Sequence, residues 1–519
     1  MSTSQSSPHR GHHSLVVVVC LALATVVAAM ASLNVALPDI ARSTRASQTD
    51  LAWIIDAYSL MFAALLLPAG ALGDRFGRRR ALLVGLSIFG AGSAVAMTTD
   101  SAGELIALRG VLGIGASLVM PATLSTITST LPGAKRAKAV SIWAGVAGAA
   151  AVLGLLATGA ILHFLSWEWV FGLNVVLAGV SIAGTVRYVP ESADPDAAKL
   201  DLVGAGLAFL ALVVLVFTVI EAPDTGWLAA RTLGGFAAAI LLIAAFVGWE
   251  LRQPEPMLDP RLFRHRRLSA GSGSILAQFF AFYGFVFIAL QYLQIVRGDA
   301  PILAAVSVLP MAATMILSSR LAPRLIPRFG ARWLCATGLL MITAAMVILS
   351  HLTTTSSYWL FAAGLWLLGC GMGLAMTPAT SNITDSLPAA QQGVGSALND
   401  LSREFGGALG IAVVGSILDA VYRTNLTVPG APPTLLHRAQ TSLGLAQSVG
   451  GRIAADAHTA FIAGLHTALL CAGGATLAAA VGVWFALTPR HARQPAGCDS
   501  DQPVSARSTQ RARNATSIG

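Results

Sequence analysis

The sequence predicts an all-α integral membrane protein that crosses its bilayer fourteen times. Three observations carry this reading. Only 11% of the 519 residues are charged, less than half of the roughly 25% found in average soluble chains. Apolar runs of about 20 residues, the length a helix needs to cross the hydrocarbon layer, recur along most of the chain. Lys and Arg fall in short clusters between those runs, as topology signals do.

With 55% hydrophobic residues and a mean hydropathy of +0.71, the chain has too little charge to clothe a water-facing surface. The net charge of +9 raises the question of nucleic acid. Nucleic-acid binding needs basic residues gathered along one face, and clusters set between apolar runs exclude that partner. Cys20, Cys335, Cys370 and Cys471 lie in apolar runs and Cys498 in a polar tail. No CxxC or Cys/His ligand spacing occurs, so neither a disulfide framework nor a metal site is expected.

The expected spans lie at about 14–37, 51–72, 81–99, 102–130, 139–164, 167–188, 201–221, 229–249, 269–296, 301–320, 333–352, 357–381, 393–421 and 460–487. The first follows His9, Arg10, His12 and His13 as a signal peptide would, but its length and the many later runs favour a retained span. With the N-terminus inside, 24 of the 33 Lys and Arg fall at inside segments and 7 at outside loops. Arg109 and Arg403 lie within spans. This asymmetry places both termini in the cytoplasm. The loop at 382–392 is the exception, with Asp385 and no basic residue. Trp53, Trp167, Trp169, Trp227, Trp249, Trp333 and Trp359 fall near span ends, as interfacial anchors do.

The domain organisation follows from the spans. A cytoplasmic N-terminal tail (1–13) leads into an N-terminal six-helix bundle (14–188). Two inserted helices (201–249) and a cytoplasmic linker (250–268) come next. A C-terminal six-helix bundle (269–487) carries an external loop at 422–459, and a polar cytoplasmic tail (488–519) is expected to be disordered.

An internal repeat supports two related bundles. Leu72, Arg75, Phe76, Gly77, Arg79, Gly85 and Leu86 recur at a constant offset of 253 as Leu325, Arg328, Phe329, Gly330, Arg332, Gly338 and Leu339. PATLSTITSTLP (121–132) is echoed by PATSNITDSLP (378–388). Both pairs occupy equivalent inside-facing places, which implies a parallel repeat about an axis along the membrane normal. Two bundles around a central site can rock to expose it to either side. A channel or membrane enzyme does not require such duplication, so a transporter is favoured.

The strongest local signal is Gly70-Ala71-Leu72-Gly73-Asp74-Arg75-Phe76-Gly77-Arg78-Arg79-Arg80. Its glycines permit a tight turn and close helix approach. Asp74 with Arg75, Arg78 and Arg79 can make charged contacts across two helix ends that differ between conformations. A plain topology loop accounts for the arginines but not for the ordered glycines with Asp74.

On this loop, with its pattern G-x-L-x-D-R-x-G-R-[KR], the sequence resembles the major facilitator superfamily. Fourteen spans resemble its drug:proton antiporter branch with two extra helices, which includes quaternary-ammonium and multidrug exporters. Further matches are Asn34-Val35-Ala36-Leu37-Pro38 and Trp53-Ile54-Ile55-Asp56-Ala57-Tyr58. Arg109 with Gly113 and Gly115, and GSALNDLSREFGGALGIAVVGS (395–416), complete the resemblance over about residues 15–487. It implies the major facilitator fold, two six-helix bundles plus two inserted helices, and export driven by antiport. Two departures stand out. Many members carry a first-span carboxylate five residues before the Asn of N-V-A-L-P, where this chain has Ala29. The fifth-span antiporter motif keeps small residues in Gly154-Leu155-Leu156-Ala157-Thr158-Gly159 but lacks its proline. The proton chemistry is therefore expected to use other carboxylates.

Charge inside a membrane costs roughly 2.5–3.5 kcal/mol on the insertion scale and marks function by default. Asp400 and Glu404 lie four apart on one helical face of the thirteenth span. A carboxyl in an apolar cavity can hold a proton or a cationic cargo, and the two compete. That competition is the simplest physical basis of exchange. Against it stands a purely structural pairing of Arg403 with Asp400, which absorbs one acid and leaves Glu404. Asp56 of the second span is either an interfacial acid or a contact for substrate or proton. Arg109 of the fourth span either stabilises the bundle or tunes a nearby carboxylate. Met311, Met315, Phe279, Phe280, Phe282, Tyr283, Phe285, Phe287 and Tyr292 pack or line the ninth and tenth spans. Glu221 and Glu250, at span ends, read as interfacial.

No GxxxxGK[ST] occurs, so ATP is not the expected energy source and no cofactor is expected beyond a proton gradient. Neither a serine-nucleophile elbow nor a metal-ligand cluster occurs, and an enzyme is not expected. The expected function is proton-coupled efflux of small lipophilic, cationic compounds across a bacterial plasma membrane. The alternatives are a dedicated exporter of one natural product, favoured by Ala29, and a membrane receptor that binds without turnover.

Overall fold

The computed structural model describes residues 8–193, 201–254, 256–387, 392–428 and 432–488. The first six helices are α1 (Pro8–Thr44), α2 (Gln48–Phe76), α3 (Arg78–Ala96), α4 (Ala102–Thr130), α5 (Gly133–Phe164) and α6 (Glu168–Tyr188). The inserted pair is α7 (Leu202–Thr225) and α8 (Ala230–Glu250). After a 3₁₀ turn at Pro260–Arg264 come α9 (Arg266–Gln291), prolonged by a π-helical turn at Tyr292–Val296, α10 (Pro301–Ser307) and α11 (Leu309–Leu349). Then follow α12 (Tyr358–Thr384), α13 (Gln392–Asn425), α14 (Pro433–Thr441), α15 (Leu443–Val449) and α16 (Gly451–Ala486). Helices are what a bilayer demands, because each satisfies its own backbone where water cannot.

By length and composition, 13 helical stretches among the described residues can cross a membrane. One of them, Pro301–Leu349, has 49 residues. At 1.5 Å per residue it would be about 73 Å long, more than twice the hydrocarbon thickness. It is two spans, because Gly330 (φ 81°, ψ 155°) breaks the helix inside α11. Counting that break gives the fourteen spans expected from the sequence. An even number puts both described chain ends on one side, here the termini side; the opposite side is the far side.

The break repeats the first half. Gly77, the counterpart of Gly330, separates α2 from α3 with φ 115° and ψ 126°. L-residues with a side chain rarely adopt either conformation. The arginine two residues before each glycine lies over the following phenylalanine, Arg75 over Phe76 at 5.8 Å and Arg328 over Phe329 at 5.6 Å. Both halves then close-pack their next two helices through glycine. A Cβ on Gly85 would come within 2.7 Å of the Gly115 carbonyl, and one on Gly338 within 2.6 Å of the Gly371 carbonyl.

Local chemistry sets the helix starts. Ser47 and Asp50 form a reciprocal capping box that begins α2 at Gln48, three residues before the expected start. Asp201 caps α7 by accepting from the Gly204 N–H at 2.8 Å.

The stretch 422–459 is not a simple loop. α13 continues to Asn425, α14 and α15 occupy 433–449, and α16 already begins at Gly451. Pro433 suits a first helical turn, and Ser442 caps α15 through the Leu445 N–H. These helices are too short and polar to show as apolar runs. Tyr422 anchors them, its hydroxyl donating to the Ala439 carbonyl at 2.7 Å. Glu250, the last residue of α8, is buried; its Oε2 accepts from the Leu258 N–H and its Oε1 has no hydrogen-bond partner. The tail 1–7 and the polar stretch 489–519, expected to be disordered, lie outside the described residues.

The two halves meet on the far side. Gln294 donates to the Val35 carbonyl at 2.9 Å, and a Cβ on Gly159 of α5 would come within 2.9 Å of Ile302 in α10. Toward the termini side of α5, Gly145 and Gly148 have nothing within 4 Å of a would-be Cβ. The seam is packed at one end of α5 and open toward the other.

Candidate functional site

Among the described residues, the expected site side chains fall mainly into two groups in the helical interior. The first is built on α13. Asp400, Arg403 and Glu404 share a face because their spacings of three and four match the helical period. Arg403 Nε donates to Glu404 Oε1 at 3.1 Å, and its Nη2 lies 3.6 Å from Asp400 Oδ1. One guanidinium thus faces two carboxylates. Glu404 is 1% exposed and its Oε2 has no hydrogen-bond partner. With both acids ionised the trio carries one net negative charge, and one proton or one cationic group neutralises it.

α9 supplies the wall. Arg403 lies 5.8 Å from the ring centroid of Phe279, which contacts Tyr283 at 5.9 Å. Tyr283 reaches Met30 of α1, its hydroxyl 3.6 Å from the thioether sulfur. Glycines allow α9 and α13 to touch: a Cβ on Gly407 would come within 2.6 Å of the Tyr283 ring, and Gly406 lies against the Leu276 carbonyl. Phe285, Phe287 and Tyr292 are buried core, with Phe285 and Tyr292 packing on Phe361.

The second group surrounds Arg109 on α4. Its Nε donates to the Ile54 carbonyl at 2.9 Å, its Nη1 reaches the Ala29 carbonyl at 3.5 Å, and its Nη2 has no partner. The guanidinium lies 4.4 Å over the Tyr58 ring, a cation–π contact. Tyr58 in turn donates to the Val26 carbonyl at 2.8 Å. Arg109 therefore ties α1, α2 and α4 together and uses carbonyls and a ring in place of a carboxylate. Tyr58 was not singled out in the sequence, although it closes the matched segment W-I-I-D-A-Y. Tyr283, reaching Met30 of α1, is a contact by which the α13 group touches the first half.

Asp56 stands apart. It is fully buried, with neither carboxylate oxygen hydrogen-bonded, and forms no ion pair with Arg109. A cavity of about 260 Å³ between α7 and α8, lined by Phe217, Glu221 and Arg231, does not border the Arg403 trio.

The glycine- and arginine-rich loop forms a separate cluster on the termini side. Arg78 Nε pairs with Asp74 Oδ1 at 2.8 Å across the α2–α3 junction. Arg79 donates from Nη2 to the Val186 carbonyl at 2.8 Å, and its backbone N–H reaches Glu191. Glu191, which the sequence reading missed, also lies 3.6 Å from Arg80 and occupies the space beside Gly77. The Arg78 N–H donates to the Ser192 carbonyl at 2.9 Å. Arg75 is exposed, and Gly70 makes only ordinary contact with Pro121. Of the expected glycines, Gly77 is the one whose backbone and surroundings both forbid a side chain. Arg332, the counterpart of Arg79, lies 3.7 Å over Trp484 at the end of α16. Both arginines thus grip the last helix of their own half.

Comparison with known proteins follows the same lines. The profile of the Major Facilitator Superfamily matches residues 19–411. The multidrug efflux pump LfrA of Mycolicibacterium smegmatis is 35% identical over 466 residues, covering 87% of this chain and 92% of that protein. The methyl viologen resistance protein SmvA of Salmonella typhimurium is 33% identical, covering 89% and 95%. The tetracenomycin C resistance and export protein of Streptomyces glaucescens is 32% identical, covering 91% and 90%. Among solved structures, a bacterial homolog of the human lysosomal transporter Spinster superposes with a TM-score of 0.67 at 17% identity. That superposition covers 93% of this chain and 97% of the other. Fourteen apolar spans, two repeated halves and these matches lead to one conclusion: the chain belongs to the Major Facilitator Superfamily and is a multi-pass membrane transporter.

Proposed function

We propose that this chain is a drug efflux transporter, expelling hydrophobic small molecules in exchange for protons by alternating access. The observation that carries the reading is the trio on α13: two carboxylates share one arginine, and a buried Glu404 oxygen has no partner. Such a site accepts one positive charge, from a proton or from a cationic cargo, beside Phe279 and Tyr283. Mutual exclusion of the two converts a proton gradient into export. Glu404 is the exchanging acid and Asp400 shares its arginine. Asp56 is a second proton or substrate contact, and Arg109 sets the local charge. Asp74, Arg75, Arg78 and Arg79, with Gly70 and Gly77, form the conformational loop. The name of SmvA, a methyl viologen resistance protein, supports an organic cation as cargo, and that of LfrA, a multidrug efflux pump, supports drugs as cargo. The basic inside segments support a bacterial plasma membrane with both termini cytoplasmic. The proton gradient is the energy source, with no cofactor.

A second reading has its own observation. Arg109 is buried without a carboxylate, and Ala29 stands where its partner would be. A neutral or acidic natural product would suit that positive site, and one relative is named for export of a single compound, tetracenomycin C.

Reconstitution decides between the readings. Purified protein in vesicles with an imposed pH gradient should drive uptake of a fluorescent lipophilic cation, and Glu404→Gln should reduce it at least about tenfold. Equal flux in both proteins removes Glu404 from the mechanism. Flux of an acidic compound alone supports the second reading. Binding without flux under any gradient indicates a receptor.

A further inference from the structure

The inserted helix α7 packs across the seam where α2 of the first half meets α13 of the second. On one side it meets α2: Trp53 Nε1 donates to Glu221 Oε1 at 3.0 Å, Trp53 and Phe217 are in ring contact, and Thr49 Oγ1 donates to Asp224 Oδ2 at 2.9 Å. On the other it meets α13: Ser416 Oγ donates to the Val219 carbonyl at 2.7 Å, and Arg423 pairs with Asp224. All of these contacts lie in the far-side part of α7. α7 therefore bridges the α2–α13 seam at its far-side end.

The charges at this seam are unequal in a telling way. Arg423 pairs with Asp419 of its own helix: its Nε donates to Oδ1 at 3.0 Å, and its Nη2 lies 2.8 Å from Oδ2 without hydrogen-bond geometry. Only Nη1 reaches across to Asp224. Asp419 is nearly buried, whereas the Asp224 side chain is 37% exposed. If α13 moves away from α7, Arg423 keeps Asp419 and is never a stranded cation, while Asp224 falls into water and keeps Thr49. A charge pair arranged this way can part without leaving a buried charge unpaired.

We propose that the Asp224–Arg423 pair is the far-side latch of the transport cycle, and that α7 travels with the first half when the far side opens. Asp224 and Arg423 are positioning residues: they touch no cargo and set how often the far side is open. This rests on the alternating-access reading above, but its test is separable from it.

The test uses the full chain, its native cysteines replaced and its flux measured, with one cysteine at Ala52, a buried α2 position facing Gly415 of α13. A membrane-impermeant maleimide is applied to right-side-out and to inverted vesicles. Asp224→Asn and Asp224→Ala should raise far-side labelling by about three- to fivefold, the range of one partly exposed ion pair. Asp224→Glu, which keeps the charge, should label as the parent does. Thr49→Ala removes the other partner of Asp224 but leaves the latch, and should also label as the parent. Unchanged labelling in Asp224→Asn overturns the latch, as does an equal rise in Thr49→Ala. Absence of flux in the parent protein would strike the transport reading while leaving the labelling comparison intact.

Discussion

The Arg109 guanidinium lies 4.4 Å over the ring of Tyr58, and its Nη2 has no hydrogen-bond partner although the residue is 1% exposed. A buried cation with no countercharge is costly to keep. Its nearest contact on α1 is the carbonyl of Ala29, the position where a carboxylate stands in many resembling sequences.

An acid at Ala29 should therefore find a partner already in place. Ala29→Asp is expected to stabilise the protein by about 1–2 kcal/mol through a charge-assisted hydrogen bond. Ala29→Asn, of equal size and no charge, should not. Thermal unfolding in detergent measures this, and equal melting shifts would show that Arg109 is not short of a countercharge. Ala29→Asp should also favour cationic over acidic cargo in the vesicle assay.

Removing the Tyr58 hydroxyl and removing its ring are different experiments. Tyr58→Phe loses the hydrogen bond to Val26 and should cost about 1 kcal/mol, with flux retained. Tyr58→Ala also loses the face beneath Arg109 and leaves a cavity, so a loss of about 3 kcal/mol and of flux is expected. Similar melting temperatures for the two variants would argue against the ring contact.

The Arg403 trio predicts a signed pH dependence. If proton and cation compete for Glu404, binding of a lipophilic cation weakens as pH falls and tightens as pH rises, and binding releases protons. Glu404→Gln should bind the cation weakly and nearly independently of pH. Calorimetry in buffers of different ionisation enthalpy reports the released protons; none released in the parent protein would remove the exchange model.

Backbone geometry ranks three glycines. Gly77→Ala places a methyl in a positive-φ conformation and against Glu191, so loss of stability by about 2 kcal/mol or more is expected. Gly330→Ala meets nothing within 4 Å and should lose only the conformational part, about 1–2 kcal/mol. Gly70→Ala makes ordinary contact with Pro121 and should be nearly neutral. Melting temperatures in that order support the assignment; a neutral Gly77→Ala would contradict it.

The charged loop should matter to transport more than to insertion. Asp74→Asn breaks the link to Arg78, and Glu191→Gln weakens the hold on Arg80 and on the Arg79 N–H. Each is expected to lower flux several-fold at unchanged membrane yield, since exposed pairs contribute only about 0.2–1 kcal/mol to folding. Full flux in both variants would leave the loop as a topology signal alone.

Much of the fold was legible without coordinates. A bilayer reads composition locally, so apolar run length gave the spans, and the one disagreement in count disappears at Gly330. The repeat at offset 253 foretold a shared backbone feature, because a glycine held at positive φ cannot be replaced cheaply in either half. Asp400, Arg403 and Glu404 were readable together because helical spacing alone puts them on one face.

What tertiary structure decided are the partners brought from elsewhere. Tyr58 beneath Arg109, Glu191 beside Gly77, Asp224 on Arg423 and the burial of Glu250 join residues that are far apart in the chain or hidden at span ends. α14 and α15 were missed for a related reason: their helicity comes from docking and capping, not from apolar length. The sequence by itself determined which segments enter the membrane, since solvent transfer depends on each segment's own composition. Which charges meet inside it depended on how the helices pack, and only the folded protein contains that.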